Sequence, residues 1–424
     1  MNDSLYWIWL SLAVTPATST FSNLFKKYGD VKSIYDLDRS DLVSCIGSRS
    51  CDLDRLLDKD LTRAGEVLSF CERKGVGILK FTDPEFPETL KDISDPPVLL
   101  YYRGVLPDFN NLCCVSVVGT RRLTDYGRRN AFSIAHDLAR CGIVIISGMA
   151  IGIDGVAMAG ALSAGGQTVA FLGSGIDVCY PDVHITLARE TVKSGCIMTE
   201  YPPGARPDGK NFPRRNRLIS GIGCATLIIE GGDRSGALIT ARCAKKQGRV
   251  LYALPGNVDN KTSHVSNILI KHGAKLITDA YDIVSDFEFV YPGKVNPFKL
   301  TEPSCLRMHD ELKRYKVSCV VPSDNIFNPF SNKRKARAAQ KAMEKDPVFN
   351  EDQTESVAPA KEPPKNFDKF ALEVYKRIPQ TDDCKIDAIV KEGEDVRDVM
   401  KALLKLNMGA FIEMLPGECI RRKK

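Results

Sequence analysis

The sequence lacks several motifs that would assign it directly to a known class of site. None of its 14 cysteines forms a C-x-x-C pair, which argues against the common zinc modules. No Walker A motif is present, so a P-loop NTPase is disfavoured. A complete G-x-G-x-x-G fingerprint is also missing, which weakens a dinucleotide-binding interpretation. The five histidines lie outside any recognisable Ser-His-Asp pattern, so no catalytic triad is predicted.

Long hydrophobic runs are missing as well. The apolar stretch at residues 5–14 is too short to span a bilayer, and no basic n-region of a signal peptide precedes it. The cysteines are scattered, and many lie in apolar surroundings. This distribution favours reduced, buried thiols in a cytoplasmic protein that does not contact the membrane. We expect no metal and no cofactor.

Composition places the chain among ordinary globular proteins. Hydrophobic residues make up 43% and charged residues 26% of the sequence. At 424 residues the chain is too long for one ordinary core, so two or three domains are expected. The net charge is only +6, so a polyanionic partner would need a local basic patch.

A repeated unit between Val115 and Ile277 predicts the fold class. Seven times a short apolar run is followed by a turn of small residues and then by a stretch with helical spacing; the first is Val115-Ser-Val-Val-Gly-Thr-Arg121. This alternation is typical of an α/β fold with a parallel sheet covered on both faces by helices. The glycines follow the strands, at the carboxyl edge where open α/β sheets bind ligands, which predicts a phosphate-binding surface.

Four segments are predicted along the chain. Residues 1–74 have helical periodicity and form a small helical domain, and residues 75–290 contain the α/β domain. Residues 291–365 are largely polar with several prolines, which predicts a flexible linker. Residues 366–424 show three apolar helical patterns and a short hairpin, the outline of a winged helix-turn-helix domain.

Three turns in the α/β domain carry candidate phosphate contacts. Gly119-Thr-Arg121 follows a strand and precedes a helix, so it offers backbone N–H donors and a guanidinium, although an ordinary turn with a solvated arginine is equally compatible. Ser147 and Gly148 lie in the second turn, where Asp154 is expected to cap the loop, and Gly173 lies in the third.

A basic segment around residue 214 is the most informative of these patterns. Lys210, Arg214, Arg215 and Arg217 lie in a stretch that also contains Phe212 and Asn216. Cations interleaved with aromatic residues suit single-stranded nucleic acid, because arginines pair with phosphates while bases stack on rings. We predict that this segment is a surface loop with solvated arginines, and the alternative to DNA binding is the same basic loop without a ligand. Ser235 and Thr240 follow the next glycine-rich turn and supply hydroxyl donors.

In order, these motifs resemble the bacterial DNA-processing protein A family (DprA/Smf). The resemblance covers residues 75–287 and includes Val118-Gly-Thr-Arg121, Phe212-Pro-Arg-Arg-Asn-Arg217 and Ser235-Gly-Ala-Leu-Ile-Thr240. It implies an extended Rossmann-like domain that binds single-stranded DNA without catalysis, forms a homodimer and delivers the recombinase RecA onto incoming DNA during natural transformation.

The resemblance also implies which residues line the DNA groove. By motif position, the lining residues are Arg121, Lys210, Arg214, Arg215, Asn216 and Arg217, and the floor is formed by Gly119, Ser147, Gly148, Gly173, Ser235 and Thr240. The sequence departs from the family at Met158, where histidine is usual, and at Asp182, where many members have a polar or basic residue. We expect the homodimer contact around residues 268–276.

Two other functions stay open at this point. A nucleoside-monophosphate phosphoribohydrolase has a related Rossmann-like fold, and Gly231-Gly-Asp-Arg-Ser-Gly236 resembles its glycine-rich loop. Such enzymes carry a catalytic glutamate on the following helix, whereas residues 237–244 contain none. A nicotinamide dehydrogenase is disfavoured by the missing fingerprint.

Overall fold

A nine-stranded sheet forms the centre of the chain in the computed structural model, which describes residues 3–233, 235–301, 308–319, 368–379, 384–391, 394–408, 411–415 and 419–422. Its strands are β1 (Gly77–Lys80), β2 (Leu99–Gly104), β3 (Cys114–Val118), β4 (Val144–Ser147), β5 (Thr168–Phe171), β6 (Cys196–Thr199), β7 (Ala225–Ile228), β8 (Val250–Ala253) and β9 (Lys275–Leu276). The spatial order is β1-β2-β6-β5-β4-β3-β7-β8-β9. In this spatial order, the seven strands from β6 through β3 to β9 pair in parallel. β2 pairs antiparallel with β6, and β1 pairs antiparallel with β2. The predicted α/β fold with a parallel sheet is confirmed.

Helices cover both faces of this sheet. They are α7 (Glu88–Lys91), α8 (Asp125–Arg140), α9 (Ile153–Ser163), α10 (Ile185–Ser194), α11 (Asn211–Ile222), α12 (Gly236–Lys246), α13 (His264–Lys271) and α14 (Tyr281–Phe287). Val115 and Val117 of β3 pack in the same apolar cluster as α8 and α9, whereas Cys114 and Val118 pack in the cluster of α11 and α12. Successive strand residues point to opposite faces, and both faces are covered, so every residue of β3 is buried. This explains why β3 is apolar except at Ser116, whose Oγ donates to the carbonyl oxygen of Ile219.

Six helices precede the sheet: α1 (Ser4–Ala13), α2 (Thr20–Tyr28), α3 (Val31–Tyr35), α4 (Arg39–Ile46), α5 (Leu53–Leu57) and α6 (Thr62–Lys74). This agrees with the helical pattern predicted for residues 1–74. The rings of Trp7, Phe21 and Phe25 pack together, and Phe81 follows β1 and contacts both phenylalanines. The aromatic contacts therefore join the helical segment to the antiparallel side of the sheet.

The predicted linker is wrong for the part of residues 291–365 that the structure describes. A 3-10 turn spans Pro297–Thr301, and α15 (Met308–Arg314) follows. Leu312 and Tyr315 are buried, and α15 packs against α9. A seven-residue helix with two apolar contacts has too weak a periodicity to be recognised, because its order depends on tertiary packing. Residues 320–365 lie outside the described residues.

The described residues near the C-terminus form two helices and a small sheet. The elements are α16 (Lys369–Arg377), β10 (Cys384–Lys385), a 3-10 turn (Ile386–Ala388), α17 (Val396–Met408), β11 (Ile412–Leu415) and β12 (Cys419–Arg422). The second of the three predicted helices is thus one 3-10 turn, while the hairpin strands occur as expected. The winged-helix assignment stays a prediction.

Among the described residues, no helix combines the length and apolar character that a membrane crossing requires.

Candidate nucleic-acid interface

The loops after β3, β4 and β5 meet at the carboxyl edge of the sheet. β3 lies between β4 and β7. The helices α8 and α9, on the β4 side, cover one face of the sheet, and the helices α11 and α12, on the β7 side, cover the other. This reversal creates a crevice outside the strand ends, the usual ligand position in open α/β sheets. The N-terminal half of α11 lies against the same edge, because Asn211 Nδ2 donates to the carbonyl oxygen of Gly173 at 3.1 Å.

The turn after β3 holds Arg121 at this edge. A Cβ added at Gly119 would lie 2.5 Å from Cγ1 of buried Ile153, so only glycine fits between β3 and α9. The backbone N–H of Thr120 donates to the carbonyl oxygen of Glu230 at 2.8 Å, which fastens the turn to the end of β7. Arg121 is half-buried, and its guanidinium carbon lies 5.7 Å from the ring centroid of Phe212.

The basic cluster that follows is a helix, not the predicted loop. Asn211–Ile222 is α11, with Pro213 in its first turn, where a missing N–H costs no hydrogen bond. Lys210 is exposed and Arg214 is half-buried, whereas Arg215 and Arg217 are only 4% and 3% exposed. The helix therefore directs two of its arginines inward and leaves Arg214 at the surface.

Arg215 ties α11 to the ends of two strands. Its Nη1 donates to the carbonyl oxygen of Gly148 at 2.8 Å and to that of Phe171. Burial lowers the pKa of Arg215 to about 10, and the nearby carboxylate of Asp154 opposes this shift. Burial raises the pKa of Asp154 in turn, and Asp154 accepts from the backbone N–H of Gly148 at 3.2 Å. Arg215 thus shapes the groove floor rather than offering its charge to solvent.

Arg217 forms a buried ion pair. Its Nη2 lies 2.7 and 2.6 Å from the two carboxylate oxygens of Glu200, and its Nε lies 3.5 Å from Asp95 Oδ2. Burial raises the pKa of Glu200, while the charge of Arg217 opposes that shift. The expectation of a solvated arginine at position 217 is therefore wrong, because two carboxylates distant in sequence surround it.

Most of the predicted floor residues bond to the protein itself. Ser147 Oγ donates to the carbonyl oxygen of Val117 at 2.7 Å, and Thr240 Oγ1 donates to that of Gly236 at 3.2 Å. Asn216 Nδ2 also contacts the Gly236 carbonyl oxygen, at 3.4 Å. Ser235 differs, since its buried Oγ has no hydrogen-bond partner among the described residues. These contacts give Ser147, Asn216 and Thr240 structural roles at the edge.

An aromatic pair completes the edge. A Cβ at Gly173 would lie 3.0 Å from the ring of Phe212, so the glycine lets that ring lie flat against the turn. The Tyr180 ring centroid lies 5.5 Å from that of Phe212, and the peptide bond from Tyr180 to Pro181 is cis. Tyr180 is not among the groove residues that the sequence predicts, and the structure places its ring beside that of Phe212.

Of the five predicted cations, three reach the surface of this edge: Arg121, Lys210 and Arg214. None of them forms an ion pair within the described part of the chain, in contrast to Arg217. We call these three residues, with Phe212 and Tyr180, the cationic edge. Among the described residues, no group of three or more histidine, cysteine or acidic side chains is arranged to hold a metal ion.

Comparisons with known proteins match this segment of the chain. Residues 77–288 match the family model described as DNA recombination-mediator protein A. Protein Smf from Synechocystis sp. is 39% identical over 209 residues, which are 49% of this chain and 52% of that protein. DNA processing protein DprA from Bacillus subtilis is 34% identical over 220 residues, which are 52% of this chain and 74% of that protein.

A solved structure extends the similarity. The X-ray structure of DNA processing protein A from Streptococcus pneumoniae has a TM-score of 0.59 at 31% identity, and covers 68% of this chain and 98% of that chain. The match to the Synechocystis protein spans about half of its length. The residues matched by the family model contain β1 to β9 and the whole cationic edge. The chain therefore belongs to the DNA recombination-mediator protein A family.

Proposed function

We propose that this protein binds single-stranded DNA along the cationic edge and acts as a recombination mediator that protects incoming DNA and loads RecA during natural transformation. The observation that carries the DNA-binding part is that Arg121, Lys210 and Arg214 reach the surface outside the carboxyl ends of β3 to β5, with the Arg121 guanidinium 5.7 Å from the ring centroid of Phe212. Family membership supports the mediator role.

The geometry of the edge favours a single strand over a duplex. Cationic side chains without carboxylate partners neutralise phosphates, and an aromatic ring stacks on a base only where the base is unpaired. The helix that carries the basic cluster, α11, packs along the sheet through Arg215 and Leu218 and so does not project to enter a major groove. Little sequence preference is expected, since stacking tolerates every base.

The enzyme alternative lacks its reactive group. In the proposed groove, α12 follows the glycine-rich turn that resembles phosphoribohydrolases, and Gly236–Lys246 contains no glutamate. Two carboxylates near the edge, Asp154 and Glu200, are buried and bonded to Gly148 and Arg217. Incubation with AMP separates the two functions: release of free adenine would support the enzyme, and its absence together with DNA binding supports the mediator.

The DNA-binding test uses a fluorescently labelled oligo(dT) strand and a duplex of equal length at several salt concentrations. Arg121→Ala, Lys210→Ala and Arg214→Ala are each expected to weaken single-strand binding and to flatten the plot of log affinity against log salt by about 0.7 per lost contact. Lys193→Ala is the matched control, because Lys193 is exposed at the opposite end of α10 and pairs with Glu190. Equal affinity for the duplex, or three unchanged salt slopes, would refute this site.

The partner proposals need separate tests. Purified RecA is expected to be retained by the immobilised full-length protein, and repeated failure would contradict the loading role. We also propose a two-fold homodimer through residues 268–276, where Leu276 is exposed on the edge strand β9 while Leu269 is buried in the core.

A further inference from the structure

A short segment beyond the family-matched residues packs beside the cationic edge. Residues 308–319, here called the 308–319 segment, comprise α15 and the residues that follow it, whereas the family match ends at residue 288. Leu312 and Tyr315 are buried, and α15 packs against α9. We call residues 148–152 the 148–152 loop. The segment thus contacts α9, the helix that follows this loop.

One buried imidazole joins the segment to this loop. Nδ1 of His184 lies 3.0 Å from the carbonyl oxygen of Met149, and Nε2 lies 3.0 Å from the backbone nitrogen of Ser318. A carbonyl oxygen only accepts and a backbone N–H only donates, so the proton lies on Nδ1 while Nε2 accepts. Burial lowers the pKa of His184, which favours the same neutral form.

Ser318 also bonds to the loop directly, at Gly152. The Gly152 N–H donates to the carbonyl oxygen of Ser318 at 3.1 Å. A Cβ added at Gly152 would lie 2.4 Å from the carbonyl oxygen of Thr120 and 2.8 Å from Cα of Arg121. Gly152 is therefore enclosed between the segment and the turn that carries Arg121, so a shift of one displaces the other.

The loop needs such outside bonds to keep its shape. Met149 has a φ of +51°, a region that residues other than glycine adopt only at an energetic cost. Gly148 is held by Arg215 and Asp154. The bonds to Met149 and Gly152 come from His184 and Ser318, and buried backbone groups that lose their partners destabilise a conformation.

We propose that the 308–319 segment holds the 148–152 loop, and through it Arg121, in the conformation that binds single-stranded DNA, with His184 as the positioning residue. This inference rests on the proposed function. The segment acts through the backbone of the loop and does not itself touch DNA. The DNA-binding unit therefore extends to residue 319, past the end of the family match.

The test compares two substitutions at one position in the full-length protein. Ser318→Pro removes the N–H that donates to His184, whereas Ser318→Ala keeps both backbone bonds and measures the effect of losing the side chain alone. Hydrogen exchange measured by mass spectrometry reports on peptides covering residues 148–152 and 308–319. Binding of labelled oligo(dT) is measured on the same samples over a range of salt concentrations.

Ser318→Pro is expected to speed exchange in both peptides and to weaken binding about fivefold, the effect of one lost hydrogen bond. The salt slope should stay unchanged, because no cation is removed. His184→Gln, whose amide oxygen can still accept from Ser318, should retain more affinity than His184→Ala. This rescue separates positioning from general loss of stability.

The outcomes are distinguishable. Unchanged exchange in the 148–152 peptide of Ser318→Pro would overturn the proposal, and so would faster exchange with wild-type affinity. A wild-type protein that fails to bind oligo(dT) would instead refute the proposed function, and the exchange data would then show only whether the segment orders the loop.

Discussion

Replacing Arg217 is expected to lower the free energy of unfolding rather than to remove a cation from the protein surface. Arg217 and Glu200 are 3% and 8% exposed, and Arg217→Ala leaves the Glu200 carboxylate buried without a cation within 3 Å. Breaking such a pair from one side costs about 3–5 kcal/mol. For a domain of this size that lowers the melting temperature by about 10 °C.

The assay is thermal unfolding followed by circular dichroism, with Arg121→Ala as the control because Arg121 has no carboxylate partner and should cost about 0.5 kcal/mol or less. The double variant Arg217→Met/Glu200→Leu should recover most of the lost stability, since apolar groups of similar volume tolerate burial.

The loss of stability in Arg217→Ala should also become smaller as the pH falls. Burial raises the pKa of Glu200, so the folded state takes up a proton first and gains stability in acid. A melting temperature within about 2 °C of wild type would refute this reasoning.

Three further outcomes are expected. Gly119→Ala should destabilise the protein by about 1–3 kcal/mol in urea unfolding, because the new methyl would overlap Ile153. Gly65→Ala is the control, because its methyl meets open space on α6 and should be neutral or stabilising. Equal stability of the two variants would contradict this prediction. Burial lowers the pKa of His184 in the folded state, so the stability that the neutral imidazole confers should be fully present above its unfolded pKa of about 6.5 and should decline below it. An identical pH dependence of the free energy of unfolding in His184→Gln would contradict this prediction. Leu276→Lys should convert a dimer into a monomer in sedimentation at micromolar concentration, and an unchanged dimer would place the contact elsewhere.

The sheet was predictable because burial on both faces leaves a direct mark on the sequence. A strand such as β3 is buried along its whole length and apolar at every position except Ser116, and the small residues after it mark where the chain turns into a helix. Order among the strands follows from short right-handed connections. The antiparallel pairing of β2 with β6 was not predicted, because it joins residues about 95 positions apart with no local signal.

The basic cluster shows where local reasoning failed. Pro213 and four cations favoured a loop, yet the proline occupies the first turn of α11, where helices accept it. Arg214, Arg215 and Arg217 lie in the same short stretch of sequence. Only distant partners decide which of them are buried: Arg215 bonds to carbonyl oxygens at the strand ends, and Arg217 bonds to the Glu200 carboxylate. Those partners belong to other strands, so spacing along the chain could not reveal them.

This division of the arginines leads to a quantitative expectation for DNA binding. Five cations were predicted to contact phosphates, but Arg217 is neutralised by Glu200 and Arg215 is bonded to strand-end carbonyls, which leaves Arg121, Lys210 and Arg214 at the surface. At about 0.7 per phosphate on a single strand, five contacts would give a slope of log affinity against log salt near −3.5, and three would give a slope near −2. Titrations of wild-type protein with oligo(dT) across salt concentrations measure this directly, with Lys193→Ala as a control of unchanged slope. A slope near −3.5 would refute the count of three, and a slope that returns to about −2 in a variant with Arg215 and Arg217 replaced would assign the extra contacts to the buried arginines.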